Sequence, residues 1–203
     1  MKILPIIALA VLTVAAAAAD DKVTVTPADV DAAVKAMFKS APAAWQARTD
    51  QDETQRICSE TRNNPAPADV EKIQARERAT VVFPADGTVL GDWKKGEIVA
   101  QTGTGGQFSD DAAADKGGNC YACHQMAPSE ASYGTLGPNL AGYGKARNFA
   151  QADAKAAYAK IFNAQSVQPC SIMPRFGYHQ FLTIDQIRDV TAYLMSPDSP
   201  VNK

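Results

Sequence analysis

Cysteine and histidine are scarce in this chain, with four of the first and two of the second among 203 residues. Any chemistry that needs thiols or imidazoles has few places to reside. Strong charge of either sign is also missing: 20 basic residues stand against 22 acidic ones, and no basic cluster interrupts the balance. That excludes a general electrostatic attraction to nucleic acid. Internal repeats and low-complexity tracts are absent beyond an alanine-rich N-terminus, and no segment after it is apolar enough to span a membrane.

What is present begins with MKILPIIALAVLTVAAAAAD. Lys2 gives a short positive start, residues 3–14 are almost wholly apolar, and Ala17-x-Ala19 offers a cleavage site before Asp20. This is the pattern of a secretory signal peptide over residues 1–19, too short and too poorly flanked for a retained anchor. The mature chain is then expected to be exported, periplasmic and soluble, in a compartment where disulfides persist. Loss of Lys2 leaves 19 basic and 22 acidic residues, a net charge of 19 − 22 = −3. About 180 residues suffice for one sizeable domain or two small ones.

Residues 20–108 carry no obvious chemistry and read as a mostly helical N-terminal extension. Thr26-Pro27-Ala28-Asp29 is a helix start, and Val30, Ala33, Val34, Met37 and Phe38 recur on one face. A second helix is expected around 50–60, bearing Cys58, and a third over 69–78 after Asn63-Asn64-Pro65. Thr80–Phe83 is a short β-type run, and Trp45 and Trp93 are packing residues. After Gly103, Gly105 and Gly106, a second unit is expected over 109–203. It should contain helices near 110–116 and 150–164 and a last one capped by Thr183-x-x-Gln186, with Ile187, Val190, Thr191 and Leu194 on one face. The fold class is therefore all-α with long loops.

Two of the four cysteines and one histidine fall within five positions, Cys120-Tyr121-Ala122-Cys123-His124. C-x-x-C-H is the pattern of covalent c-type haem attachment, the thiols adding to the two vinyl groups and the adjacent histidine reaching the iron. A thioredoxin-like pair would want a βαβ setting, which the flanks lack. A zinc site would need a second ligand pair from Cys58, Cys170 and His179. One covalently bound haem would also supply core that about 85 residues cannot provide alone.

Opposite the histidine, Met173 in Ser171-Ile172-Met173-Pro174 is the leading axial ligand, in a loop stiffened by Pro174. Met126 is too near the attachment site, while His179 and the Cys170 thiolate are rivals. Pro138, in Gly137-Pro138-Asn139-Leu140, can accept the other imidazole N–H of His124 and fix its tautomer. Cys58 and Cys170 remain; in an oxidising compartment two spare cysteines most often pair, the alternatives being free thiols or one kept for a partner.

CYACH, GTLGPNL, CSIMPRFG and TIDQIRDVTAYLMSPDSPVN together resemble class I cytochromes c with one haem. GDWKKGE, GGNCYACHQ, YGTLGPNLAGYGK and the SPVN ending are closer to the SoxX family, the small cytochrome subunits of SoxAX complexes in periplasmic sulfur oxidation. The resemblance spans nearly the whole mature chain. It implies a class I cytochrome c-like haem domain, with Cys120 and Cys123 holding the haem and His124 and Met173 ligating iron. It also implies a heterodimer with a SoxA-type cytochrome, whose cysteine conjugates thiosulfate to a carrier-protein cysteine. The chain would be the non-catalytic subunit that takes the released electrons to a downstream soluble cytochrome, meeting the carrier protein only through the complex. A free-standing respiratory carrier, and a haem enzyme or sensor with an open iron, are the competing functions.

Overall fold

Three helices start for one local reason. Thr26, Asp52 and Thr183 each turn a side-chain oxygen onto the backbone N–H three residues on. The residue there returns the bond: Asp29 to Thr26 at 2.8 Å, Gln55 to Asp52 at 3.0 Å and Gln186 to Thr183 at 3.0 Å. Each capping box satisfies two donors that a helix start would otherwise leave orphaned. A computed structural model describes residues 24–203, so the signal peptide expected over 1–19 lies outside the described residues.

The helices are α1 (Pro27–Met37), α2 (Ala43–Gln46), α3 (Glu53–Glu60), α4 (Pro67–Arg78), α5 (Trp93–Gln101), α6 (Gln151–Phe162) and α7 (Ile184–Met195). Among the described residues there is no strand. The chain divides into two units, one ending at Lys39 and one spanning Ser40–Lys203. The first contains α1, none of whose residues is buried, those of the expected apolar face included.

In the second unit α5 and α6 both pack against α7. Ile187, Val190, Tyr193 and Leu194 of α7 meet Val99 and Ala100 of α5 and Tyr158, Ile161 and Phe162 of α6 in one apolar cluster. Each Val, Ile, Leu or Phe among them contributes about 1.5–3 kcal/mol on burial. One of the two partners of α7, helix α5, therefore comes from before residue 109, and the helix expected at 110–116 does not form. There Asp110 accepts from the backbone N–H groups of Gly105 and Gln107 at 2.7 and 3.0 Å, and Asp111 accepts from that of Ala113 at 2.9 Å. These short side chains serve the loop's own donors instead of starting a helix. Within α5, Gly96 lies against the backbone of Asp189 and Val190, where any Cβ would collide. Only glycine allows the two helix axes to approach that closely.

The β-type run expected at Thr80–Phe83 forms no strand: Thr80 and Val81 turn back onto the Glu77 and Arg78 carbonyls at 3.1 and 3.2 Å. The Tyr158 hydroxyl donates to the Val82 carbonyl at 2.9 Å, and Phe83 stacks on the Tyr158 ring with centroids 5.3 Å apart. Trp45 meets Phe108 edge-on at 6.4 Å with the Arg48 guanidinium 4.0 Å from its ring, and Trp93 packs on the main cluster. The SPVN ending closes the unit: Asn202 accepts from Gly144 and Lys145 and donates to the carbonyls of Leu194 and Ser196.

Candidate haem site

The backbone leading into the motif is held by α5. Gly118 N–H donates to the Val99 carbonyl at 2.8 Å and Asn119 N–H to that of Thr102 at 2.9 Å. Asn119 then takes left-handed geometry (φ 46°), which asparagine tolerates better than most residues. The chain turns tightly through a 3₁₀ turn at Cys120–Ala122. His124 N–H closes on the Cys120 carbonyl at 2.9 Å, and the Tyr121 hydroxyl meets that of Tyr193 on α7 at 2.7 Å. Burial and then the Tyr121 hydroxyl raise the Tyr193 phenol, so the Tyr193 hydroxyl keeps its proton.

The loop carrying GTLGPNL runs beside the motif. Gly134, Gly137 and Leu140 donate to the carbonyls of Tyr121, Cys123 and Gln125 at 2.7, 2.8 and 2.8 Å. This brings the Pro138 carbonyl to 2.8 Å from His124 Nδ1. A carbonyl can only accept, so the proton sits on Nδ1 and the Nε2 lone pair is left for a ligand. Gly137 lies flat against the imidazole; a Cβ there would overlap the ring at Cε1, Nδ1 and Nε2. Sequence reasoning missed that role, because a glycine in a turn signals a bend and not what it faces.

Cys120 and Cys123 are free thiols, both half-buried. Burial pushes the Cys120 thiol up to about 12, so it stays protonated at neutral pH. Among the described residues no three His, Cys, Asp or Glu side chains converge on a metal position, so the zinc alternative finds no ligand set. Cys58 and Cys170 are joined by a disulfide with Cα atoms 5.3 Å apart. Cys170 is thereby withdrawn as a rival iron ligand. His179 lies in the loop after Met173, its ring edge-on to Tyr178 at 5.0 Å. Met173 is half-buried and, like Cys120 and Leu140, borders the main apolar cluster.

The donor set fits a haem: two unpaired thiols with two residues between them, an adjacent imidazole of fixed tautomer, and a thioether bordering the same cluster. A cytochrome c family model matches residues 111–197. Residues 111–197 thus form a cytochrome c domain. Such a domain implies a covalently bound haem c and electron transfer, and the all-α architecture agrees with a class I cytochrome c fold. Helix α5 of this cytochrome precedes the matched stretch. The chain is 41% identical over 155 residues to an uncharacterized lipoprotein of Aquifex aeolicus (strain VF5), covering 75% of this chain and 73% of that protein.

Proposed function

We propose that this cytochrome is the SoxX-type electron-transfer subunit of a periplasmic thiosulfate-oxidising complex. In this reading Cys120 and Cys123 carry one haem as thioethers, and His124 and Met173 are its axial ligands. The observation that carries the electron-transfer part is the 2.8 Å bond from His124 Nδ1 to the Pro138 carbonyl. It fixes the tautomer with Nε2 free and makes the imidazole a stronger donor. Bound haem supplies a one-electron iron couple, its potential raised by a methionine ligand opposite histidine. With His124 and Met173 both holding the iron, no substrate would reach it, which favours a carrier over a catalyst.

The partner reaction has a simple balance. A cysteine thiol and thiosulfate join through a new S–S bond, releasing one proton and two electrons. A one-haem subunit takes those electrons singly and hands each to a downstream soluble cytochrome. Leu136 and Ile172, exposed at 68% and 67%, lie in the loops that carry Pro138 and Met173 and suit contact with protein partners. Among the described residues no helix is long and apolar enough to cross a membrane.

The test is recovery of tagged protein from its native periplasm. A second c-type cytochrome should copurify, and thiosulfate with the carrier protein should reduce the haem of the pair. A lone haem protein that thiosulfate never reduces through any partner would favour the free-standing carrier instead.

A further inference from the structure

Met173 lies on a short segment tethered at both ends to one distant stretch of chain. Three residues before it, Cys170 is bonded to Cys58 of α3, 112 positions away. Two residues after it, Arg175 is 4% exposed and places Nη2 2.5 Å from Asp52 and Nη1 3.3 Å from Glu77. Glu77, on α4, is itself 3% exposed and is held by the Thr54 hydroxyl and by Asn163 Nδ2 at 2.8 Å. Between the tethers the holds are local: Met173 N–H to Ser171 Oγ at 3.3 Å and Gln165 Nε2 to the Ser171 carbonyl at 3.0 Å. Both tethers lead to residues 52–77, the part of the chain without chemistry of its own. Beside them a cavity of about 520 Å³ is lined by Gln55, Cys58, Cys170, Met173, Arg175 and His179, so little packing backs the segment there.

A buried ion pair is weak as a source of stability, because desolvation offsets most of the attraction; its better-attested use is to fix one arrangement against alternatives. Arg175 suits that use, since its planar fork takes two carboxylates from two elements at once. We propose that α3 and α4 are a brace for the methionine ligand. Arg175 with Asp52 and Glu77, and Cys58 with Cys170, are positioning residues that keep the Met173 thioether on the iron. The inference rests on Met173 being that ligand. It gives the extension a task at the iron site: with both tethers intact the methionine is retained, and loosening either one opens the iron's second axial position.

Imidazole binding to the oxidised holoprotein reads this directly, because an added ligand enters only when the methionine leaves. Stopped-flow rates are compared for the unaltered protein, Glu77→Gln, the double variant Cys58→Ser/Cys170→Ser, and Val89→Ala, a fully buried core position that belongs to neither tether. Denaturant stability is measured on each. Glu77→Gln keeps a group that can bond Thr54 and Asn163, so it is the variant that folds even if the serine pair does not. Loss of one charge-assisted hydrogen bond at the tether should speed binding about tenfold or more. Val89→Ala should lower global stability without that acceleration. Equal rates in the unaltered and tether variants, or rates that follow global stability in all, overturn the brace alone. Absence of a sulfur-to-iron charge-transfer band in the unaltered protein overturns Met173 ligation, and the brace with it.

Discussion

Replacing Gly137 by alanine should disturb the imidazole of His124 more than any neighbouring glycine substitution. The added Cβ would overlap the ring at three atoms, and it meets the body of a ring, not the far end of a flexible side chain. The ring cannot simply rotate away, because Nδ1 is committed to the Pro138 carbonyl at 2.8 Å. Nor can the loop retreat without breaking the 2.8 Å bond from Gly137 N–H to the Cys123 carbonyl. Overpacking of this kind costs about 1–3 kcal/mol. Loss of one hydrogen bond adds about 1 kcal/mol, for a sum of about 2–4 kcal/mol. For a chain of this size that lowers Tm by about 5–15 °C. Thermal unfolding followed by circular dichroism, with the haem absorption recorded alongside, is the assay. Gly106→Ala is the control, since its Cβ meets nothing nearer than 3.8 Å and should shift stability by less than about 0.5 kcal/mol. A Gly137→Ala protein with unchanged Tm and haem spectrum would refute the claim that the glycine sets the imidazole's place.

Two more outcomes follow from the loop around Met173. Removing the Cys58–Cys170 bond by double serine substitution should lower unfolding free energy by about 2–5 kcal/mol, because the closed loop is long; chemical denaturation measures it. Acid should also destabilise the protein in two stages. Burial first, and then the Arg175 guanidinium, lowers the His179 pKa, with Asp52 and Glu77 opposing. A histidine whose folded pKa lies below its unfolded value binds more protons when unfolded. Stability is therefore steady above about pH 6.5 and declines below it, down to the folded pKa. Asp52 follows at lower pH. Burial raises its pKa, but the Gln55 backbone bond and Arg175 outweigh that and lower it. Its stabilisation is present above about pH 3.9 and lost as pH falls to the folded pKa. Denaturation midpoints against pH should lose the first stage in His179→Gln and keep the second.

The sequence was most legible where chemistry and spacing coincide locally. CYACH, the Pro138 carbonyl 14 residues on and the Thr183–Gln186 capping box depend on short-range geometry, and the structure has His124 bonded to Pro138 and α7 capped by Thr183. Pairing of the two spare cysteines followed from compartment and count, and the structure contains that disulfide. Helix α5 was missed because Gly96 lowers helix propensity in its middle, and its purpose, a close crossing with Asp189, is a tertiary fact. The helix expected at 110–116 failed for the converse reason: Asp110 and Asp111 look like caps but serve loop donors. The Asp52–Glu77–Arg175 cluster had no local signal at all, since its members lie 98 and 123 positions apart. Buried ion pairs of that kind are visible only once the chain is folded.

The central claim is a closed haem iron held by His124 and Met173. The measurement that bears on it most directly is the optical spectrum of the holoprotein, oxidised and reduced, with and without carbon monoxide, set beside Met173→Ala. A sulfur-to-iron charge-transfer band in the oxidised protein, no carbon monoxide binding when reduced, and reversal of both in the variant are the expected results. Carbon monoxide binding by the unaltered protein would contradict the account and make the iron a site of catalysis or sensing.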